Sequence, residues 1–400
     1  AFIILRALGL RSAESSNAPP VQPKYSNGNA RPSIAFLTPL PTPYRQPLLE
    51  QLAEREDFDL TVYYLAVSEE DRSWNVPIPE SDPRFKVLPG RSFGRVGKKS
   101  FFNHWNPRLL RQLGEAHHDL IVVPGYALLS AQATIGWSWL NGTPYVIHSE
   151  SHHVQPRHAL RRVVKRLVLG RVIGRAAACL ATGTLSREYL CSYGADPDRV
   201  FTFPNTPDVE WFKEQADALR PQRAELRRKW DIPEGPVVLF VGRLLQVKGV
   251  DVLLRAFATI VKEHDDAHLL IVGDGPERQA LETQAASLGI EQHVHFMGFH
   301  QRDALVELYT CADVFCLPSR HEPWGAVVNE AAACGLPLVV SDRVGAGADL
   351  VDPGVNGAVV PVEDTAATAG ALSYYISETS DSASAAQRSR ELATQWGYPL

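Results

Sequence analysis

Val237-Val238-Leu239-Phe240-Val241-Gly242-Arg243-Leu244-Leu245-Gln246-Val247-Lys248-Gly249 is the stretch on which the fold turns. Five consecutive apolar residues, three of them valine, are too few for a helix and read as a strand buried on both faces. A glycine closes the run, a loop with two cations follows, and a helical pattern over 249–263 begins at the next glycine. The same order recurs downstream. HLLIVG (268–273) turns through Gly273-Asp274-Gly275-Pro276 into a helix over 277–288, and HVHFMG, DVFCLPS, EAAACG and PLVVSD continue the alternation. Short apolar strands separated by longer amphipathic helices predict a parallel sheet with helices on both faces.

Toward the N terminus the alternation repeats with different residues. SIAFLT (33–38) is the first strand, followed by the loop PLPTPYR and the helix QPLLEQLAERE. DLTVYYL, DLIVVPG and PYVIH supply further strands, with helices over 106–118 and 130–140. The region between them, around residues 66–105, reads as irregular. A strand over 179–182, a helix over 186–193 and an edge strand over 200–203 complete the half, and PNTPD (204–208) marks a crossing between domains. The reading is therefore α/β with two doubly wound, Rossmann-like domains, over 32–205 and 206–379. Residues 1–31 read as a flexible lead, and 380–400 as a helical segment whose aromatic end turns back toward the first domain. A crossing and a returning terminus together predict a hinged clamp with a cleft between the domains.

Composition sets the bounds. Four hundred residues exceed a single growing core, so two domains are the default. With 45% hydrophobic and 21% charged residues the chain is globular, and a net charge of -5 argues against a general nucleic-acid binder. Cys179, Cys191, Cys311, Cys316 and Cys334 contain no CxxC pair and read as buried thiols of a reducing, cytoplasmic compartment. No run approaches 18 apolar residues, which speaks against a membrane span. The segment over 158–176 places Arg161, Arg162, Lys165, Arg166, Arg171 and Arg175 around an apolar helical stripe. It reads as a solvated surface helix, or as a peripheral contact with an anionic acceptor or an acidic membrane face.

Chemistry concentrates at the C-terminal ends of the strands, where open α/β sheets collect ligands. Arg243 and Lys248, beside Gly242 and a helix start, suit a diphosphate. Gly273 and Gly275 permit close approach, although D-G-P is also an ordinary turn sequence. Neither a P-loop nor GxGxxG is present, which disfavours nicotinamide and flavin. The run Ser319-Arg320-His321-Glu322-Pro323-Trp324-Gly325-Ala326-Val327-Val328-Asn329-Glu330 follows a buried strand and leads into a helix. Glu322 and Glu330 are eight residues apart and read as two separate contacts, one to sugar hydroxyls and one to a ribose diol. As a glycosidase pair they would leave the cationic loop unexplained. No DxD stands at a strand end, so neither a metal nor another cofactor is expected. In the first domain His148 ends a strand and is suited to hydrogen-bonding a sugar. His148, His152 and His153 lack the spacing of a metal site. Tyr44, Arg45, Glu150 and Arg157 are acceptor or cleft candidates.

VGRLLQVKG (241–249), LLIVGDGPE (269–277), SRHEPWGAVVNEAAACGLPLVVS (319–341) and GADLVDPGVNGAVV (347–360) resemble the retaining GT-B glycosyltransferases of family 4. The likeness covers most of the second domain, while the first shares only its β–α order and PYVIHSE. It implies a nucleoside-diphosphate sugar as donor, with Arg243 and Lys248 on the diphosphate, Glu330 on the ribose and Glu322 on the transferred sugar. Main-chain groups from Pro323 to Val327 would meet the donor, and His148 would approach the sugar. The acceptor would be a glycan, a lipid-linked sugar or a small molecule. PLPTPYR departs from the glycine pair that many relatives carry there. A non-catalytic nucleotide-sugar binder and another GT-B sugar-processing enzyme are the alternatives.

Overall fold

The computed structural model describes residues 31–68, 76–79, 81–95, 101–152, 159–377 and 382–397. The lead over 1–30, His153, Arg157 and the last residues 398–400 lie outside the described residues. The chain divides into two compact units on either side of the Asn205–Thr206 bond.

The first unit is built on seven parallel strands in the order β3-β2-β1-β6-β7-β8-β9. They are β1 (Ser33–Thr38), β2 (Asp59–Tyr64), β3 (Phe85–Val87), β6 (Leu120–Pro124), β7 (Tyr145–Ser149), β8 (Ala178–Ala181) and β9 (Val200–Thr202). Ile34 and Phe36 enter one core and Ala35 and Leu37 the other, so both faces of β1 are covered. Burial on both faces explains why these strands read as continuous apolar runs without alternation. The region expected to be irregular contains β3 and an antiparallel ribbon, β4 (Arg91–Arg95) against β5 (Phe101–Trp105). Helices α1 (Gln46–Ala53), α2 (Leu109–Ala116), α3 (Leu129–Asn141), α4 (Ala159–Gly174) and α5 (Thr184–Ser192) connect the strands.

The second unit has six parallel strands in the order β12-β11-β10-β13-β14-β15. They are β10 (Val237–Val241), β11 (His268–Val272), β12 (Val294–Gly298), β13 (Val314–Leu317), β14 (Leu338–Ser341) and β15 (Gly357–Val360). Strand order reverses between β10 and β13, which pair through Val238–Val314 and Leu239–Phe315. At such a reversal open α/β sheets form a ligand crevice at the carboxyl edge, beyond the ends of these two strands.

Helices α6 (Val209–Leu219), α7 (Arg223–Lys229), α8 (Val250–Ile260), α9 (Arg278–Ser287), α10 (Arg302–Cys311), α11 (Ala326–Ala333), α12 (Gly347–Leu350), α13 (Thr365–Ile376) and α14 (Ser382–Gln395) surround the sheet. The terminal helix α14 buries Ala385, Ser389, Leu392 and Ala393 within this unit, and the Trp396 ring lies 5.1 Å from that of Trp324. The described part of the segment packs on the second unit. Among the described residues no helix is long and apolar enough to cross a membrane.

Candidate functional site

Most of the residues expected to meet a donor lie in the loops and turns that follow the strands of the second unit. After β10 the chain runs through Gly242 and Arg243 into a short 3-10 turn, Gln246–Lys248, and then into α8. Gly249 joins the two helical turns at φ 71°, and a Cβ there would stand 2.3 Å from the Pro318 carbonyl oxygen. Only glycine permits that approach, which brings the loop after β10 against the loop after β13. Arg320 reinforces it. Its guanidinium donates to both Asp251 oxygens, at 2.7 and 2.8 Å, and to the Gln246 carbonyl, and it pairs with Glu363. Burial raises the pKa of Asp251, but the hydrogen bonds and charge of Arg320 prevail and hold it below its ordinary value.

Lys248 and Glu322 form an ion pair in this crevice, both side chains largely shielded from solvent. Lys248 is thus paired with the carboxylate expected to meet the sugar, a pairing that their separation of 74 residues concealed. Glu322 also donates its main-chain N–H to Arg343, at 3.0 Å, and accepts from Gly345 N–H, at 3.0 Å. The loop after β14 is thereby drawn into the same place. Arg243 is half-buried in the loop after β10.

On the other side of β10, the Leu244 N–H donates to the Asp274 carbonyl at 2.9 Å and the Glu277 N–H to the Leu244 carbonyl at 3.1 Å. Gly273 and Gly275 therefore belong to a turn zipped to residues 242–244, and their first role is backbone packing. Gly325 takes φ 97° as the residue before α11, turning the chain sharply so that Ala326 and Val327 begin the helix. The Trp324 side chain is buried and donates through Nε1 to Asn329 Oδ1 at 2.9 Å, while its carbonyl accepts from the Ala346 N–H at 2.9 Å. Pro323 is half-buried beside it.

Glu330 lies in α11, one of its oxygens accepting from the Tyr309 hydroxyl at 2.9 Å. Burial lifts its pKa to about 7, against the opposing pull of the Tyr309 bond and the charge of Arg302. Tyr309, in α10, was not singled out in the sequence, where it reads as one more apolar-face residue.

The first unit holds a second polar group at its own strand ends. Arg45 is buried and donates to Thr38 Oγ1 at 3.3 Å, Glu150 Oε1 at 2.7 Å and Asn205 Oδ1 at 2.5 Å. Burial raises the pKa of Glu150, but Arg45 and the Asn205 bond outweigh it and hold the carboxyl low. His148, in β7, is buried with its ring edge-on to Phe203, 5.3 Å between centres. Burial, followed by the charge of Arg45, depresses its pKa to about 3, and its buried Nε2 has no hydrogen-bond partner. A pKa held so low makes His148 a weak base, which suits it to hydrogen bonding more than to proton abstraction. Tyr44 precedes Arg45 at the start of α1. Among the described residues no three histidines, cysteines or carboxylates are placed to hold a metal ion.

Residues 222–392 match the family described as "Glycosyl transferases group 1", and residues 41–206 match "Glycosyl transferase 4-like domain". The chain belongs to the GT-B glycosyltransferases of family 4. The D-inositol 3-phosphate glycosyltransferase of Acidothermus cellulolyticus is 36% identical over 58% of this chain and 57% of its own length. That of Salinispora arenicola is 33% identical over 70% of this chain and 66% of its own. The chain thus spans a little over half to about two thirds of these family 4 relatives. Among solved structures, HepE of Anabaena in complex with UDP superposes with a TM-score of 0.68 at 21% identity, covering 91% of this chain and 95% of that one. At that identity the likeness is one of fold, and it agrees with two parallel-sheet domains of the GT-B type.

Proposed function

We propose that this family 4 protein transfers a sugar from a nucleoside-diphosphate sugar to an acceptor hydroxyl, with retention at the anomeric carbon and without a metal ion. The observation that supports this reading is the shielded Lys248–Glu322 ion pair, which joins the loop after β10 to the loop entering α11 beside the β10/β13 switch point. In the proposed reaction the bond between the anomeric carbon and the β-phosphate oxygen breaks, and both electrons leave with the diphosphate. The acceptor oxygen bonds the same carbon from the same face, and its proton passes to the departing phosphate. Arg243 and Lys248 offset the charge that grows on the leaving group. The helix N-terminus at α11 acts in the same direction.

Glu322 plays two parts in this reading. It positions the Lys248 ammonium and presents its remaining acceptor capacity to the sugar hydroxyls. Glu330 accepts from the ribose diol, and His148 donates to or accepts from the sugar. The Arg45–Glu150–Asn205 group is a positioning device that holds the strand ends around His148. The five free cysteines agree with a reaction on the cytoplasmic side.

The donor base, the sugar and the acceptor are left to a screen. Incubation with a panel of nucleoside-diphosphate sugars, UDP-glucose among them, and acceptors including inositol 3-phosphate is read by mass spectrometry. Stoichiometric nucleoside diphosphate and glycosylated product are expected. Donor binding without product across the panel would favour a non-catalytic binder.

A further inference from the structure

Helix α4 and the end of α3 make an outward surface that donor chemistry leaves unused. Leu169 and Ile173 are buried beneath α4, so positions on its far side face outward. Leu167 and Val168 are 56% and 55% exposed there, and Arg171 and Arg175 follow them, also exposed, at helical spacing. The end of α3 lies beside this stripe. The Arg175 guanidinium is 5.1 Å from the centre of the Trp139 ring. Trp139 Nε1 donates to the Tyr145 hydroxyl at 3.2 Å, which donates to the Val172 carbonyl at 2.5 Å. Trp139 is 43% exposed, and Leu140 next to it 89%.

Four large apolar side chains and two arginines therefore share one surface, and neither helix contains a single Asp or Glu. Aliphatic residues interleaved with cations and edged by an indole match the chemistry of the headgroup boundary of a bilayer. The absence of carboxylates adds the charge complementarity that an anionic leaflet requires.

We propose that this surface docks on an anionic lipid bilayer. Trp139, Leu140, Leu167 and Val168 enter the headgroup–acyl boundary, and Arg171 and Arg175 meet lipid phosphates. The surface lies wholly in the first unit and the docking needs no sugar donor, so it can fail while the transfer reading stands.

The test is co-sedimentation of the full chain with vesicles of phosphatidylcholine alone or with about 30 mol% phosphatidylglycerol. Wild type binds the anionic vesicles, and affinity falls about tenfold or more as salt rises from about 50 to about 500 mM. R171Q/R175Q weakens binding about tenfold, and L140S/L167S/V168S does so at unchanged charge. The apolar segment over 2–10 is present in every variant, so the differences report on α3 and α4. Thermal melts within a few degrees of wild type confirm that the exposed substitutions leave the fold intact. Equal binding by the variants, or equal binding to neutral vesicles, overturns the proposal. So does sedimentation showing a dimer that L140S/L167S/V168S dissociates, which would assign the surface to a second copy.

Discussion

Glu330 is the residue at which, in the proposed reaction, stability and donor binding pull in opposite directions. A carboxyl whose pKa rises from 4.5 to about 7 on folding keeps a proton that the unfolded chain has already released. Stability therefore falls as pH climbs through that window and stays reduced above it. Glu330→Gln retains the shape and can still pair with Tyr309, so it raises the melting temperature at pH 8 by about 2–4 °C. The gain vanishes near pH 4.5. A variant no more stable at pH 8 than wild type would mean that Glu330 is not strained by its burial. The same substitution raises the donor KM about tenfold, because a charged acceptor for the ribose diol is lost. Higher stability with weaker donor binding distinguishes a ligand group from a structural one. Glu330 was legible from its place eight residues after Glu322 in a loop-to-helix run. Tyr309 was not, since a tyrosine among Leu308 and Val306 looks like core until its hydroxyl is seen to meet a carboxylate.

At the scale of elements, the site depends on two loops held against each other at the start of α8 and after β13. Gly249→Ala forces a Cβ against the Pro318 carbonyl at a φ that alanine disfavours. We expect a loss of about 1–3 kcal/mol by denaturant melts, together with weakened nucleotide binding. Unchanged stability and affinity would show that the two loops do not need this approach. Most strands of both sheets were legible because burial on both faces leaves continuous apolar runs, as in Val237–Val241, whereas the short β3 and β15 were not read as strands. The β4–β5 ribbon was hidden because Arg91–Arg95 (RSFGR) has no apolar alternation and owes its pairing to a partner strand. The terminal helix α14 was legible as a helix. Which surface receives Leu392, Ala393 and Trp396 is decided by tertiary packing, and these residues go to the second unit.

Across the whole molecule, two units of one architecture carry different charge arrangements. The second gathers cations and carboxylates around a strand-order reversal, and its motifs were readable because each loop is short and follows its strand directly. The first joins Arg45 to Glu150 and Asn205, 105 and 160 residues away, a group that no local motif signals. Asn205 read only as interdomain punctuation, yet its side chain fixes Arg45 in place.

The central claim concerns the second unit alone: a nucleoside diphosphate is held by Arg243 and Lys248 at the β10/β13 switch point. Isothermal titration of a panel of nucleoside diphosphates into wild type and R243A/K248A tests it most directly. The account predicts measurable binding of at least one of them by wild type. In the double variant, affinity should fall by about 30-fold or more, as loss of two charge-assisted contacts requires. Equal affinity in the two proteins would contradict it.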